Sequence, residues 1–225
     1  MAGKVKTNTA GFNGGVQGKP SQNENQFYRT QRPGIVSLLK AERFDRDVWE
    51  CCCGDGAVSR VLEEAGYDVH STDLVDRGYG QDRGPHCDVL SFTQAPRRTV
   101  VTNPPFPIAA DMVRHLLSIG VEEIALLLKV NYWNVGARIE LFRETRPAKV
   151  YMATFRMDFS LDGPKPARRK KGDPAKPKKK NAPMMDIMWC IWRAGHQGLP
   201  EMDLLSKPAD DIMLAPRSQV AAVAA

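Results

Sequence analysis

The chain has 225 residues, 42% of them apolar and 26% charged, which suits one soluble globular domain with a core of ordinary size. No apolar run approaches the ~20 residues that a membrane-spanning helix needs, and the first residues lack the apolar segment of a secretory signal, so neither a membrane protein nor a secreted one is expected. Five cysteines, three of them adjacent, make a poor disulfide framework and favour a reducing, cytoplasmic setting.

The net charge of +6 is concentrated in one segment. Residues 163–182 carry nine Lys or Arg and one Asp, a net +8, so the rest of the chain is close to −2. Because Pro and Gly interrupt these charges, a flexible basic loop is predicted. Such a loop is either merely solvated or contacts phosphates without reading sequence. The candidate nucleic-acid contacts are Lys165, Arg168, Arg169, Lys170, Lys171, Lys178, Lys179 and Lys180.

The order of elements predicts one α/β domain over 27–195, preceded by a disordered polar arm (1–26) and followed by a mostly disordered tail (196–225). Strand, glycine turn, helix and strand follow one another from residue 48, which indicates a βαβ unit and a parallel sheet. The basic loop joins the last two strands, which are predicted to form an antiparallel hairpin in a three-layer, seven-stranded, mostly parallel fold. The predicted helices span 33–43, 57–65, 108–119 and 135–144; the strands span 48–53, 67–72, 87–90, 100–103, 124–128, 149–159 and 185–193.

The most informative stretch is a buried strand that ends at Asn103, Pro104, Pro105 and Phe106. Prolines cannot continue a central strand, and the residue before a proline is held extended. The stiff loop therefore presents the Asn103 side-chain oxygen and the Pro104 carbonyl as acceptors, with the flat ring of Phe106 beside them. A planar amino group on a flat ring would find two acceptors and a stacking surface here. The alternative is an ordinary strand-ending turn.

Two further strand ends carry marked residues, and ligands of open α/β sheets bind at the carboxyl ends of strands. One end runs from Glu50 to Gly56, where Gly54 and Gly56 permit a sharp turn and a close approach to a ligand. Asp73 lies seventeen residues past Gly56, near the spacing of an acid that binds ribose hydroxyls, although a lone Asp there is more often a cap. Together the ends predict a nucleoside site beside an amino-group clamp.

These motifs resemble motifs one to four of class I S-adenosylmethionine-dependent amino methyltransferases. The closest resemblance is to the small adenine methyltransferases of phages and prophages, and it covers about residues 27–195. Tyr28-x-Thr30 is similar to the upstream cofactor motif of that family. The residues that carry the other motifs are Glu50-x-x-x-Gly54-x-Gly56, Asp73, Asp88 and Asn103-Pro104-Pro105-Phe106.

The resemblance implies a Rossmann-like methyltransferase fold, S-adenosyl-L-methionine as the cofactor, and direct methyl transfer to the amino group of adenine. Asn103 and Pro104 would accept the amino hydrogens, and Phe106 would stack on a base flipped out of its duplex. Glu50 and the glycine turn would hold the amino-acid end of the cofactor, Asp73 its ribose and Asp88 its adenine. The other cofactor neighbours implied are Tyr28, Thr30, Cys52, Leu74, Val89 and Asn103.

Nucleic acid is the expected partner, with DNA favoured over RNA, and neither a membrane nor a metal is expected. Cys51, Cys52 and Cys53 are adjacent, whereas paired metal ligands have two or more residues between them. Two other functions stay open. One is methylation of RNA adenine or of a protein amide, since similar clamps serve both; the other is a non-catalytic nucleic-acid-binding protein that keeps the fold.

Overall fold

The computed structural model describes residues 27–83, 87–158 and 184–217, which form an open sheet with helices on both faces. The predicted arm 1–26 and the basic loop 163–182 lie outside the described residues. The helices are α1 (Arg32–Ala41), α2 (Ala57–Glu64), α3 (Ala109–Ser118) and α4 (Arg138–Glu144). The strands are β1 (Asp47–Glu50), β2 (Asp68–Asp73), β3 (Asp82–Arg83), β4 (Thr99–Thr102), β5 (Glu123–Lys129), β6 (Lys149–Asp158), β7 (Met184–Arg193) and β8 (Glu201–Leu205).

The strand order is β3-β2-β1-β4-β5-β7-β6-β8. Strands β1 to β5 run parallel to one another, and β7 lies antiparallel between β5 and β6. The predicted mostly parallel sheet with an antiparallel C-terminal hairpin is therefore confirmed. The chain runs outward from β1 to β3 and returns to the other side of β1 as β4. The carboxyl ends of β1 and β4 consequently flank the crevice in which open α/β sheets bind ligands.

Helices on both faces give the sheet three layers. Side chains alternate between faces along a strand, so Val101 and Leu127 join one apolar cluster while Val100 and Leu126 join the other. Helices α1 and α2 cover the first cluster, and α3 and α4 cover the second. Within the described residues, no helix combines the length and the hydrophobicity required to cross a bilayer.

The region predicted as a third strand, 87–90, has a different structure. The Asp88 carboxylate accepts a hydrogen bond from the Leu90 N–H at 3.0 Å and caps a single 3-10 turn, Val89–Ser91. An Asp side chain that bonds nearby backbone in this way competes with strand pairing. The prediction of a strand at 87–90 is wrong, and the third strand is instead the two-residue β3, which pairs with the end of β2. The described residues hold eight strands rather than seven because β8 joins the sheet.

Part of the predicted C-terminal tail belongs to the domain. Strand β8 pairs in parallel with β6, from Lys149 opposite Glu201 to Ala153 opposite Leu205. Further along, the Leu214 N–H donates to the Leu39 carbonyl at the end of α1, at 2.8 Å. Residues 201–217 therefore depart from the prediction of a mostly disordered tail. Strand β8 is exposed on both faces except at Leu205, although its residues alternate between polar and apolar from Glu201 to Leu204. The alternation typical of a half-buried strand is therefore present without the burial.

Candidate functional site

A cavity of about 390 Å³ opens at the carboxyl ends of β1, β2 and β4. That volume is within the ~300–1,000 Å³ of small-molecule sites, and the position is the crevice created by the strand order. Its wall is formed by residues that are distant in sequence but meet at one edge of the sheet. The predicted site residues that line it are Tyr28, Thr30, Cys52, Asp73, Leu74, Asp88, Val89, Asn103, Pro104 and Pro105.

Of the predicted site residues that the structure describes, four lie outside the wall of this cavity: Glu50, Gly54, Gly56 and Phe106. The φ angles of Gly54 (55°) and Gly56 (80°) lie in the left-handed region, as the predicted sharp turn requires. A Cβ atom at Gly54 would collide with the Phe27 ring, and one at Gly56 with the Tyr79 ring. The space beside these two glycines, where a ligand was predicted to approach closely, is therefore filled by aromatic rings of the chain itself. Phe27, which the sequence analysis missed, also lines the cavity.

The amide of Asn103 has a defined orientation. Its Nδ2 donates to the Tyr28 carbonyl and to the Thr30 Oγ1, both at 3.0 Å. Because a carbonyl can only accept, the nitrogen of the amide must face the 28–30 segment. The Asn103 Oδ1 accepts no hydrogen bond from the described residues and remains available as an acceptor where Asn103 lines the cavity. The short segment before α1 thus sets the direction of the predicted clamp.

An aromatic pair with a cation adjoins this amide. The rings of Tyr28 and Phe106 are nearly parallel, with an interplanar angle of 17° and centroids 6.1 Å apart. The Lys129 Nζ lies 5.0 Å from the Phe106 centroid and 6.0 Å from the Tyr28 centroid. Lys129 is not among the residues predicted from the sequence, although a single cation that follows the apolar run 124–128 marks the carboxyl end of a buried strand.

Asp73 connects the ends of β1 and β2. Its Oδ2 accepts the Gly54 N–H and its Oδ1 accepts the Val75 N–H, both at 2.8 Å. The carboxylate therefore holds the glycine turn against the loop that follows β2. Each of its oxygens keeps a second lone pair, which could accept from a hydroxyl of a ligand.

Glu50 is a buried acid at the end of β1. Its Oε1 accepts from the Thr102 Oγ1 at 2.5 Å, which joins the ends of β1 and β4 at the crevice. Its Oε2 is buried and has no hydrogen-bond partner in the described residues. Burial raises the pKa of Glu50 well above its usual value; the Thr102 hydrogen bond lowers it, and the negative charge of Asp73 raises it further. Leaving a buried acceptor unsatisfied costs about 1–3 kcal/mol, so Oε2 is a candidate ligand contact.

The adjacent cysteines Cys51, Cys52 and Cys53 line the cavity. The pKa of Cys52 is raised by its hydrogen bond with Cys51 and by burial, and the pKa of Cys53 is raised chiefly by burial. Because the thiolate is the reactive form, the raised pKa values make Cys52 and Cys53 unsuited to nucleophilic catalysis. In the described part of the chain, no group of three or more His, Cys, Asp or Glu is arranged to hold a metal ion.

No known protein-family model matches the chain, and no curated protein matches its sequence significantly. Similar solved structures include a magnesium protoporphyrin IX methyltransferase from Synechocystis with bound S-adenosylmethionine (15% identity, 72% of this chain and 78% of that one, TM-score 0.42). The 23S rRNA methyltransferase ErmE is 16% identical over 79% of this chain and 72% of its own (TM-score 0.47). A dimethyladenosine transferase from Plasmodium falciparum is 14% identical over 75% and 62% (TM-score 0.46). Because these identities and TM-scores are low, the activity has to be inferred from the residues of the site.

Proposed function

We propose that this chain is an S-adenosylmethionine-dependent methyltransferase that methylates the exocyclic amino group of adenine in DNA. The observation that carries the proposal is the fixed orientation of the Asn103 amide. Its nitrogen is bound by Tyr28 and Thr30, which leaves its oxygen as an acceptor beside the Pro104 residue of the same stiff loop. This acceptor lies at the crevice between β1 and β4, on the wall of a cavity of suitable size.

The residues of the cavity fit the proposed cofactor. Asp73 and Asp88 offer acceptors for ribose hydroxyls and for an adenine amino group, and Leu74 and Val89 offer apolar walls. Outside the wall of the cavity, at the end of β1, the unsatisfied Oε2 of Glu50 is a buried acceptor suited to the cationic amino-acid end. When bound, S-adenosylmethionine supplies an electrophilic methyl group carried on a sulfonium.

The clamp at Asn103 addresses the chemical difficulty of the reaction. The amino nitrogen of adenine is a poor nucleophile because its lone pair is delocalised into the ring. The Asn103 Oδ1 and the Pro104 carbonyl would accept both amino hydrogens, favour a pyramidal nitrogen, and stabilise the positive charge that develops on it. Phe106 would stack on the flipped base, a contact worth about 1–3 kcal/mol.

Replacing Asn103 by Ala tests the proposal. We expect methyl transfer to fall by about 100-fold or more, the usual effect of removing one preorganised polar group, while cofactor affinity changes little. Asn134→Ala, an exposed Asn at the same edge of the sheet, is the matched control and should keep full activity. Normal turnover of the Asn103→Ala variant would refute the assigned role of the clamp.

The substrate is identified in the same assay. The protein is incubated with methyl-labelled cofactor and with DNA, RNA or protein, and the modified group is located by mass spectrometry. N6-methyladenine in DNA is the expected product. Label on RNA adenine or on a glutamine side chain would replace the DNA assignment, and binding of nucleic acid without any transfer would favour the non-catalytic alternative.

A further inference from the structure

Lys129 is the last residue of β5 and lies at the same sheet edge as the Asn103 loop. Strands β4 and β5 are parallel and Thr102 pairs with Leu126, so β5 continues three residues beyond the last pair. The ammonium lies 5.0 Å from the Phe106 centroid and 6.0 Å from the Tyr28 centroid, and the two centroids are 6.1 Å apart. Because these three distances are nearly equal, the ammonium sits on the side of Phe106 that faces Tyr28, against both rings.

The ammonium of Lys129 has no carboxylate partner in the described residues. By contrast, Lys40 and Lys149 lie 2.6 and 2.8 Å from carboxylate oxygens of Asp210 and Glu42. Contact with an aromatic ring stabilises a cation by about 0.5–2 kcal/mol. This contact leaves the N–H groups of an ammonium free to donate hydrogen bonds. Lys129 is therefore positioned by the rings of the candidate site while its donors stay available.

The chemistry of the surrounding groups indicates which ligand these donors would meet. The Asn103 Oδ1 accepts hydrogens from an amino group, and an aromatic ring binds the plane of a base. These two groups contact only the base of a nucleotide, so its sugar and its phosphate need other partners. A cation gains more from an anionic phosphate than from a neutral ring nitrogen, because charge-assisted hydrogen bonds are about twice as strong as neutral ones.

We propose that Lys129 binds a phosphate adjoining the nucleotide whose amino group receives the methyl group. This inference rests on the proposed function and narrows it, because a glutamine side chain in a protein carries no anion next to its amide. The substrate class that fits is a nucleotide within a nucleic-acid strand.

A cycle that combines a protein change with a substrate change tests the contact. Wild-type protein and Lys129→Met are titrated, with S-adenosylhomocysteine present, against an oligothymidylate strand that contains one adenine. The linkages next to the adenine are either natural phosphates or uncharged methylphosphonates. We expect each single change to weaken binding roughly fivefold and the two together to weaken it no further, because they remove the two halves of one contact.

Matched variants and substrates define the controls. A methylphosphonate eight linkages from the adenine should show no coupling to Lys129. Lys40→Met, at the far end of α1 and paired with Asp210, should leave binding unchanged. The slope of log Kd against log salt should fall by about 0.7 in Lys129→Met and return in Lys129→Arg.

The outcomes separate this inference from the proposed function. Additive losses, or an unchanged salt slope in Lys129→Met, overturn the Lys129 contact even if the enzyme is active and depends on Asn103. Equal binding of wild-type protein to strands with adjacent and distant methylphosphonates overturns it without the use of any variant. A wild-type protein that methylates no nucleic acid refutes the proposed function itself, and the Lys129 contact with it.

Discussion

The Asn103 amide is oriented by groups that precede it by more than 70 residues. One of them, the Tyr28 carbonyl, belongs to the backbone, and the other is the buried hydroxyl of Thr30. Both bind the nitrogen, so neither competes for the oxygen that the proposed reaction uses.

Thr30→Val removes one of the two hydrogen bonds and keeps the shape of the side chain. The lost hydrogen bond contributes about 0.5–1.5 kcal/mol to holding the amide in its orientation. Its removal should lower kcat for methyl transfer by roughly threefold to tenfold, with little change in cofactor affinity. The readout is steady-state kinetics beside calorimetric cofactor titration. Thr93→Val, at an exposed Thr, is the control. An unchanged kcat in Thr30→Val would mean that the Tyr28 carbonyl alone orients the amide.

The raised pKa of Glu50 predicts how the stability of the protein depends on pH. Burial raises its pKa in the folded state, so the folded protein retains a proton that the unfolded chain releases above about pH 4.3. The free energy of unfolding of the ligand-free protein should therefore fall as pH rises from that value through the folded pKa. Glu50→Gln cannot ionise but can still accept from Thr102, so it should remove this fall.

The measurement is urea unfolding of both proteins across a series of pH values. The same variant should bind the cofactor about tenfold more weakly, because the proposed contact with a cationic amino group loses its charge. Glu122→Gln changes an exposed acid and should alter neither property. A pH profile of Glu50→Gln parallel to that of the wild type would contradict the predicted titration.

At the scale of elements, the segment after β8 is attached to the opposite edge of the sheet from the cavity. The Arg217 guanidinium is paired with Glu123 at the start of β5 and with Asp45, at 3.3 Å from the latter. Glu123 is 95% buried and also binds Arg193 at 2.9 Å. This cluster joins the C-terminal segment to the start of β5 and the end of β7. Lys129 lies at the opposite end of β5.

Arg217→Met tests how much this attachment contributes. Removing one partner of a buried carboxylate that keeps Arg193 should lower the free energy of unfolding by about 1–2 kcal/mol. Arg98→Met, which breaks the exposed pair with the neighbouring Glu122, should change it by less than about 0.5 kcal/mol. Chemical denaturation of the two variants gives the comparison, and equal effects would show that Glu123 does not depend on the C-terminal segment.

At the scale of the whole molecule, the strand order decides the function proposed here. Because the chain crosses from the β3 side of β1 to the β4 side, the carboxyl ends of β1, β2 and β4 share one cavity. The hairpin of β6 and β7 lies beyond β5, and its two strand ends that flank the basic segment, Asp158 and Met184, lie at the same edge of the sheet as the carboxyl end of β5.

The basic segment 163–182 should set the salt dependence of nucleic-acid binding. Replacing it with a Gly-Ser segment of equal length removes nine cations and one anion while the hairpin stays connected. If the segment contacts several phosphates, the slope of log Kd against log salt should fall by about 2 or more. An unchanged slope in fluorescence anisotropy titrations would mean that these charges are only solvated.

The sequence alone determined the features that depend on local chemistry. Strand β4 ends at Thr102, just before Asn103 and the two prolines, and Gly54 and Gly56 take positive φ where the turn was predicted. The predicted helices overlap the four α-helices of the described residues. Local patterns also predicted that Asp73 and Asn103 would lie at the same sheet edge, because parallel strands bring their carboxyl ends together.

Only the tertiary structure decided which distant groups touch. The partners of the Asn103 amide lie 75 and 73 residues away, and the cation against Phe106 comes from a different strand. The docking of residues 201–217 depends on backbone pairing of an exposed strand and on ion pairs, and a hydrophobic pattern specifies the partner of neither. Periodicity reports which face of an element is buried; it carries no information about which element lies opposite, and that pairing determines how the site is assembled.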